Sequence, residues 1–543
     1  MSLLDDVSIV VTPNGYKAGE LYAVKPTFAL GSELVTNSIF NSDNTSDWGN
    51  GFYDSFTFDS SEGGYYNLQR VTTDSRTNIN LSSVLTVGKR YKVTVVARGS
   101  GGIKTGLTTV GYTTQPSAVF TLTSSFASYS TIVTVTSGLV YGVLWNDDAN
   151  SNIDYQSYSV KEYISADMDV TRATDATRVD ENGLIEDVLS NVPRIDYTGG
   201  GCPHILAEPQ RTNLITYSED YTSGWIPYQA SVNTNEVISP DGSLNADKII
   251  ENTANSTHFV APIVNNIPSS GTATLSVFAK KGENNWIKLV QYTNYVNFDL
   301  NNGVVGNSSA ISSSIINYGN GWYKCIMNFN IGGSGANVDF KLGENNTSNW
   351  DDIYTGDGTS GVYIYGAQLE VGSYATSYIP TSGSTVTRNQ DIFTRDGIGS
   401  LINSTEGVLF VEIAALTSLV PLNNWLTITD GTASNQVAIG FETNAKTTVR
   451  VDVGGVLQAY ITVSGDYSQN RKLAFKWKEN DFALWIDGVE VGVDTSGATL
   501  SSGTLNSLQF NWGAGGNYTN AKVKQLQVYD TSLSDTQLAA LTT

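Results

Sequence analysis

Trp286, Tyr292 and Asn294 share a parity in the sequence, so an unbroken strand would set all three on one face. Tyr295 and Asn297 would then point the other way. An exposed aromatic ring can stack on the apolar face of a pyranose while Asn, Asp, Gln or Arg hydrogen-bond its hydroxyls. Two further groups carry the same chemistry. Trp48, Tyr53, Tyr65 and Tyr66 gather around polar loops, and Asn511, Trp512, Asn517 and Tyr518 lie in a Gly-rich loop before the last strand. Core packing competes with binding for every one of these aromatics. For Trp225, Trp322 and Trp485 it prevails.

Asp148, Asn150, Asn152 and Asp154 place an oxygen donor at every second residue, the spacing a hard cation such as Ca²⁺ requires. As an EF-hand the stretch fails, because Ile153 replaces the turn glycine and Ser159 stands where the bidentate Glu belongs. A looser structural Ca²⁺ site is weighed here against a solvated turn, which is the stronger expectation. No other cofactor is expected. His204 and His258 are too few for a three-His metal site. Cys202 sits in a Gly-rich loop and Cys325 inside an alternating strand, where it reads as a small buried residue rather than half of a disulfide. The Gly-rich pieces 99–102 and 332–335 lack the Lys-Ser/Thr of a phosphate loop and read as turns. No Gly-x-Ser-x-Gly elbow precedes a helix, and Glu412 stands alone where a glycan-cleaving sandwich would carry several acids. Enzyme activity is not expected.

These side chains need a scaffold, and composition says what kind. The chain has 543 residues, with 30 Lys+Arg against 52 Asp+Glu and a net charge of −22. That balance excludes nucleic acid and anionic membrane surfaces as partners. Only 15% of residues are charged, so Ser, Thr, Asn and the 52 Gly must supply the polar surface. Such a composition points to an all-β protein of about three or four domains. No stretch approaches ~18 consecutive apolar residues, so membrane insertion is not expected. The acidic opening Met1-Ser2-Leu3-Leu4-Asp5-Asp6 does not read as a secretory signal.

Along the chain, residues 1–33 read as an extended arm with one apolar strand, Val7 to Val11. Residues 34–164 alternate in short runs, clearest at 91–97 (YKVTVVA) and 130–135 (STIVTV), and predict a sandwich. Residues 165–212 form a connector dense in Arg, Gly and Pro, followed by a second module at 213–380, a linker at 381–395 and a third module at 396–543. The second module echoes the first. Leu34 to Ser38 followed by Trp48 matches Leu214 to Ser218 followed by Trp225, and 91–99 matches 273–282. Within the connector Arg172, Arg178, Arg194 and Arg211 are expected at a seam between domains or subunits.

Residues 473–488 (LAFKWKENDFALWIDG) and 523–541 (VKQLQVYDTSLSDTQLAAL) resemble the strand–turn–strand and the closing strand and helix of laminin-G-like, concanavalin-type sandwiches. The second module resembles jelly-roll carbohydrate-binding modules through 213–218 (NLITYS) with Trp225, 319–324 (GNGWYK) and 361–370 (GVYIYGAQLE). The opening 8–22 (SIVVTPNGYKAGELY) and the connector block 169–182 (DVTRATDATRVDEN), with 183–186 and 191–213, resemble segments of bacteriophage tail and other virion proteins. On that resemblance the first module is an insertion between arm and connector.

The fold class implied is all-β, with two jelly-roll sandwiches and a C-terminal laminin-G-like one. The function implied is that of a virion protein, a tail fibre or appendage acting as a host-surface adhesin for cell-surface glycans. The arm would attach it to other virion proteins, and a homo-oligomer is expected, with three copies the first expectation for a fibre. Two rivals stand beside this reading: a non-adhesive virion decoration, adaptor or head fibre, and a secreted bacterial polysaccharide-binding protein.

Overall fold

The computed structural model describes the chain apart from residues 1, 2, 4, 5, 25–28, 71–74, 110–117, 149, 150, 265–267, 269, 332–336, 418–423 and 443–445, and apart from the side chains of residues 29, 50–52, 70 and 151. Strands make up nearly all of its regular structure. Two compact units divide the chain: Thr27–Ser165, and Met1–Pro26 together with Ala166–Thr543. In sequence the first interrupts the second.

Alternation builds the Thr27–Ser165 unit. Along Arg90–Gly99 every second side chain, Tyr91, Val93, Val95 and Ala97, is buried, so one face must be covered. Two six-stranded antiparallel sheets do this, one centred on Arg90–Gly99 and Ser151–Ile164, the other on Leu139–Asn146. Trp48 and Tyr66, expected beside polar loops, lie in this core. The Trp48 ring meets Phe40 and Tyr158 edge-on at 5.8 and 5.6 Å, and Tyr66 is fully buried.

The second module uses the same plan. Its sheets are Trp225–Tyr228, Phe259–Pro262, Val338–Gly343, Trp286–Gln291, Asn294–Asp299 and Val304–Ser308, packed on a six-stranded partner centred on Gly271–Lys281 and Gly361–Val371. The two echoing segments occupy equivalent places. Arg90–Gly99 and Gly271–Lys281 each pair with the last long strand of their module, and each time that last strand carries one extra residue at a bulge. Cys325 is free and buried in this core, and Cys202 is free and exposed. Gly361 shows how tightly the strands meet, since a Cβ there would lie 1.9 Å from the Ile249 carbonyl oxygen. Gly361→Ala is therefore expected to cost about 1–3 kcal/mol, read as a lower urea midpoint.

The C-terminal sandwich recruits segments read as arm, connector and linker. Val7–Lys17 is not an extended arm: it pairs antiparallel with Ala521–Tyr529, from Val7 opposite Tyr529 to Val11 opposite Leu526. His204–Ala207 continues along that same edge, and Asp169–Thr171 pairs with Ile392–Arg395 in the opposite sheet. Burial explains the recruitment. Val7 to Val11 and His204 to Ala207 are buried throughout, and such runs are stable only inside a sheet covered on both faces. The chain closes with the helix Asp535–Thr542, capped by Ser534 and Gln537, whose Oε1 accepts the Ser534 N–H at 3.0 Å. No helix among the described residues is long and apolar enough to cross a membrane.

The expected arginine seam lies inside this unit. Arg172 Nη1 donates to Asp391 at 2.9 Å, and Arg194 pairs with both Asp391 and Glu208. Arg388 Nη1 reaches Glu208 at 2.8 Å. All five side chains are buried. Arg178 sits apart on Glu186, and Arg211 lies over the Tyr374 ring. Burial alone would raise the Glu208 carboxyl, yet Arg388 and Arg194 outweigh it and hold the group well below the ordinary range. Asp196 behaves alike: burial opposes ionisation, but the His204 ring 3.2 Å away and the N–H donors of Thr198 and Val179 bring it down to about 2. Both folded values lie below the unfolded ones, so this stability is present above the unfolded carboxylate range and is lost as pH falls through the folded values. The expected urea midpoint holds level from pH ~7 to ~5 and falls steeply below pH ~4.

Candidate functional site

The strand Trp286–Gln291 does not run on through Tyr292. A turn at Tyr292–Thr293, with Tyr292 at φ 52°, folds it back onto Asn294–Asp299. Register then pairs Trp286 with Asp299, Lys288 with Asn297 and Val290 with Tyr295. Trp286 therefore shares its face with Tyr295 and Asn297, opposite to the parity reading, while Tyr292 stands exposed at the hairpin tip. Asn294 is turned to Gln291, 3.0 Å away. Trp286 is half-buried against Gly306, where an added Cβ would come within 2.9 Å of its ring. It packs against the strand Val304–Ser308 at Gly306.

The outer face of this sheet nevertheless carries an aromatic surface, nearer its other edge. Tyr228 registers with Phe259, and Phe259 with Lys341. Tyr228 and Phe259 stack at 5.0 Å and 22°. Lys341 Nζ lies 5.1 Å from the Phe259 ring centre and 5.1 Å from that of Trp350. Tyr228 is 46% exposed and Trp350 41%. Both rings are held in place from below. Lys341 is buried and faces Asp339 at 3.7 Å and Asp351 at 3.9 Å. Burial raises the Asp339 carboxyl while Lys341 pulls it back.

The loop 344–353 that carries Trp350 is anchored across the same face. Lys288 Nζ donates to Thr347 Oγ1 and to the Asn349 carbonyl, each at 2.7 Å, and Asp352 lies 3.5 Å away. Asn297 Nδ2 donates to the Thr347 carbonyl at 2.8 Å. Burial lowers the Lys288 pKa, with Asp352 opposing. Two buried polar side chains of the sheet thus find partners in this loop, Asn297 Nδ2 donating also to the Asn307 carbonyl at 3.0 Å, and so hold the segment that carries the exposed Trp350 ring. Tyr228, Phe259, Lys341 and Trp350 were not singled out in the sequence. The signal for Trp350 was there: one aromatic among eight residues, Asn345 to Asp352, that are otherwise polar.

The other expected groups disperse. One face of Trp512 is taken by the Arg450 guanidinium at 5.0 Å, and Trp425 meets it edge-on at 4.6 Å. Asn511 is buried beneath it, Asn517 is exposed in a left-handed turn at φ 45°, and Tyr518 is half-buried. Tyr53 is exposed, 5.7 Å from Phe56, without Trp48 as a neighbour because that ring went into the core. The oxygen donors expected for Ca²⁺ are not a loop either. Asn152 and Asp154 belong to the strand Ser151–Ile164, and Asp154 accepts from Arg98 Nε at 2.8 Å and Asn67 Nδ2 at 2.7 Å. A guanidinium on the carboxylate stands where a cation would need to be. Asp148 accepts the Gly102 N–H at 2.6 Å, and Asn150 lies outside the described residues. Among the described residues no group of three or more His, Cys, Asp or Glu could hold a metal ion.

Two sandwich types in one all-β chain define the class: a multidomain β-sandwich protein of jelly-roll and laminin-G-like modules. No family model matches the chain, and no curated protein matches it in sequence. Solved structures similar to parts of it include the CBM40 module of the Ruminococcus gnavus IT-sialidase bound to α2,3-sialyllactose, 14% identical, covering 26% of this chain and 83% of that one at a TM-score of 0.22. The CBM22-1–CBM22-2 tandem of Paenibacillus barcinonensis Xyn10C is 11% identical over 63% of this chain and 98% of that one, with a TM-score of 0.22. Domains LG4-5 of the mouse laminin α1 chain are 11% identical over 58% and 93%, with a TM-score of 0.18. None of the three bears on what this chain binds.

Proposed function

We propose that the protein is a glycan-binding protein, and that its second sandwich holds a pyranose ring on the surface formed by Tyr228, Phe259 and Trp350. The observation that carries this reading is two large, exposed aromatic rings, Tyr228 and Trp350, held on one sheet face around a buried lysine. Such rings are costly to leave in water and match the apolar face of a sugar, and the rim acids Asp339 and Asp351 can accept from its hydroxyls. No catalytic step is assigned to this surface.

The resemblance of residues 8–22 and 169–213 to virion proteins supports a finer reading: a bacteriophage adhesin displayed on the particle and directed at host-surface glycans. Weak single sites of this kind gain strength from several copies acting together, which favours a homo-oligomer. The test is a glycan array probed with the full chain and with Trp350→Ala. Retained signal in the variant, or no signal from the unaltered chain, overturns the glycan reading. Immunogold labelling of purified particles tests the second step, and absence of label from every particle removes it.

A further inference from the structure

A cavity of about 230 Å³ lies between the 165–212 segment and the outer face of the strands Ser312–Gly319 and Trp322–Ile331, on the opposite sheet from the Tyr228–Trp350 surface. Lys324 stands in its wall. Register pairs Lys324 with Ile316 on this outer face, while its neighbours Cys325 and Met327 enter the core. The side chain is 4% exposed, and among the described residues its one hydrogen bond is to the Thr376 carbonyl at 2.7 Å. The ammonium also lies 5.5 Å from the Phe278 ring centre, and of its three N–H donors two lack an oxygen acceptor among the described residues. Burial lowers the Lys324 pKa, partly offset by the more distant Glu370 and Glu208.

The nearby carboxylates are committed elsewhere. Glu208 is taken by Arg194, Arg388 and Ser377, Glu370 by Thr376 and Gln368, and Asp196 by Val179, Thr198 and His204. On the opposite wall Lys522, from the strand Ala521–Tyr529, makes no ion pair among the described residues. Ser314 and Tyr374 add hydroxyls that engage no other described side chain. The walls thus offer two ammonium groups and two hydroxyls with no free carboxylate among them. A buried cation left with unused donors is expensive unless an acceptor enters. Glu208 and Asp196 also line the cavity, but both are already engaged, so Lys324 and Lys522 are the wall charges left to meet a ligand.

We infer that this cavity binds a small carboxylate ligand, seated on Lys324 and Lys522. The carboxylate has two sources, a sugar acid or a simple organic acid, and calorimetric titration of the full chain with D-glucuronate, acetate and D-glucose separates them. Saturable binding of glucuronate and none of glucose is expected. Acetate as tight as glucuronate assigns the site to simple carboxylates; acetate much weaker assigns it to sugar acids. Lys324→Met should weaken the better ligand by about tenfold or more, and Lys522→Met by several-fold. Should Lys324→Met fail to fold, Lys522→Met decides alone. Absence of heat with both acids, or affinity unchanged in Lys522→Met, overturns the inference. Loss of acid binding in Trp350→Ala overturns it as well, because the acid would then sit on the aromatic surface.

Discussion

Arg194→Ala should lower stability by about 3–5 kcal/mol, the largest single effect expected in this chain. The guanidinium is fully buried and bonds Glu208, Ser377 and Asp391 together, with the Thr177 carbonyl at 3.2 Å. Truncation leaves Arg172 as the one cation on Asp391, beside the Glu208 N–H, and Arg388 as the one cation on Glu208, beside Ser377, so each carboxylate loses a buried charge partner that nothing replaces. The cost is that of an uncompensated buried charge, which exceeds the net worth of the intact pair. Arg178→Ala, in the same segment, is the internal comparison. Its partner Glu186 is 42% exposed, so water takes over that contact, and with the loss of the donor to the Ile195 carbonyl about 1 kcal/mol is expected. Urea unfolding of both variants beside the unaltered chain reads the contrast. Similar midpoints for the two would mean that the seam is not the lock its geometry describes.

The second large effect concerns the aromatic surface. Trp350→Ala and Tyr228→Ala should each weaken a bound glycan by at least about tenfold, since each removes most of one stacking face. Both side chains are exposed, so stability should change little. Trp286→Ala and Trp512→Ala should behave in the opposite way. Trp286 braces Gly306, and Trp512 is packed between Trp425 and Arg450, so their loss falls on folding and leaves affinity unaltered. Affinity measured on the array's best glycan, with urea midpoints for all four variants, separates the two classes. A Trp512→Ala variant that folds normally and binds nothing would move the site to the C-terminal sandwich.

Several features were legible from residues alone because they depend on neighbours in the chain. The alternation of Tyr91, Val93, Val95 and Ala97 demands a half-covered strand whatever covers it. Ser534 with Gln537 spells a helix start through contacts three residues apart. Cys325, set in an alternating strand, could be read as buried for the same reason. What required the folded chain is of another kind. Alternation says that Trp286 and Lys288 share a face, yet it cannot say that a turn at Tyr292, a residue type rarely found at positive φ, will bring Tyr295 and Asn297 onto that face too. Nor can a run of four residues such as His204 to Ala207 announce itself as a strand, since its near partner is only the two-residue Ile195–Asp196 and the other lies more than three hundred residues away at Ala521–Val523.

Composition and local pattern by themselves determined that this is an all-β protein of repeated sandwiches with polar, aromatic-rich surfaces, because strand period and turn chemistry act within a few residues. Only the tertiary structure decided which aromatics are exposed. Exposure depends on what packs above a face: Phe40 and Tyr158 cover Trp48, Arg450 covers Trp512, and nothing covers the outer side of Tyr228 and Trp350 to the same extent. That is a property of distant segments meeting, and no short stretch of sequence contains it.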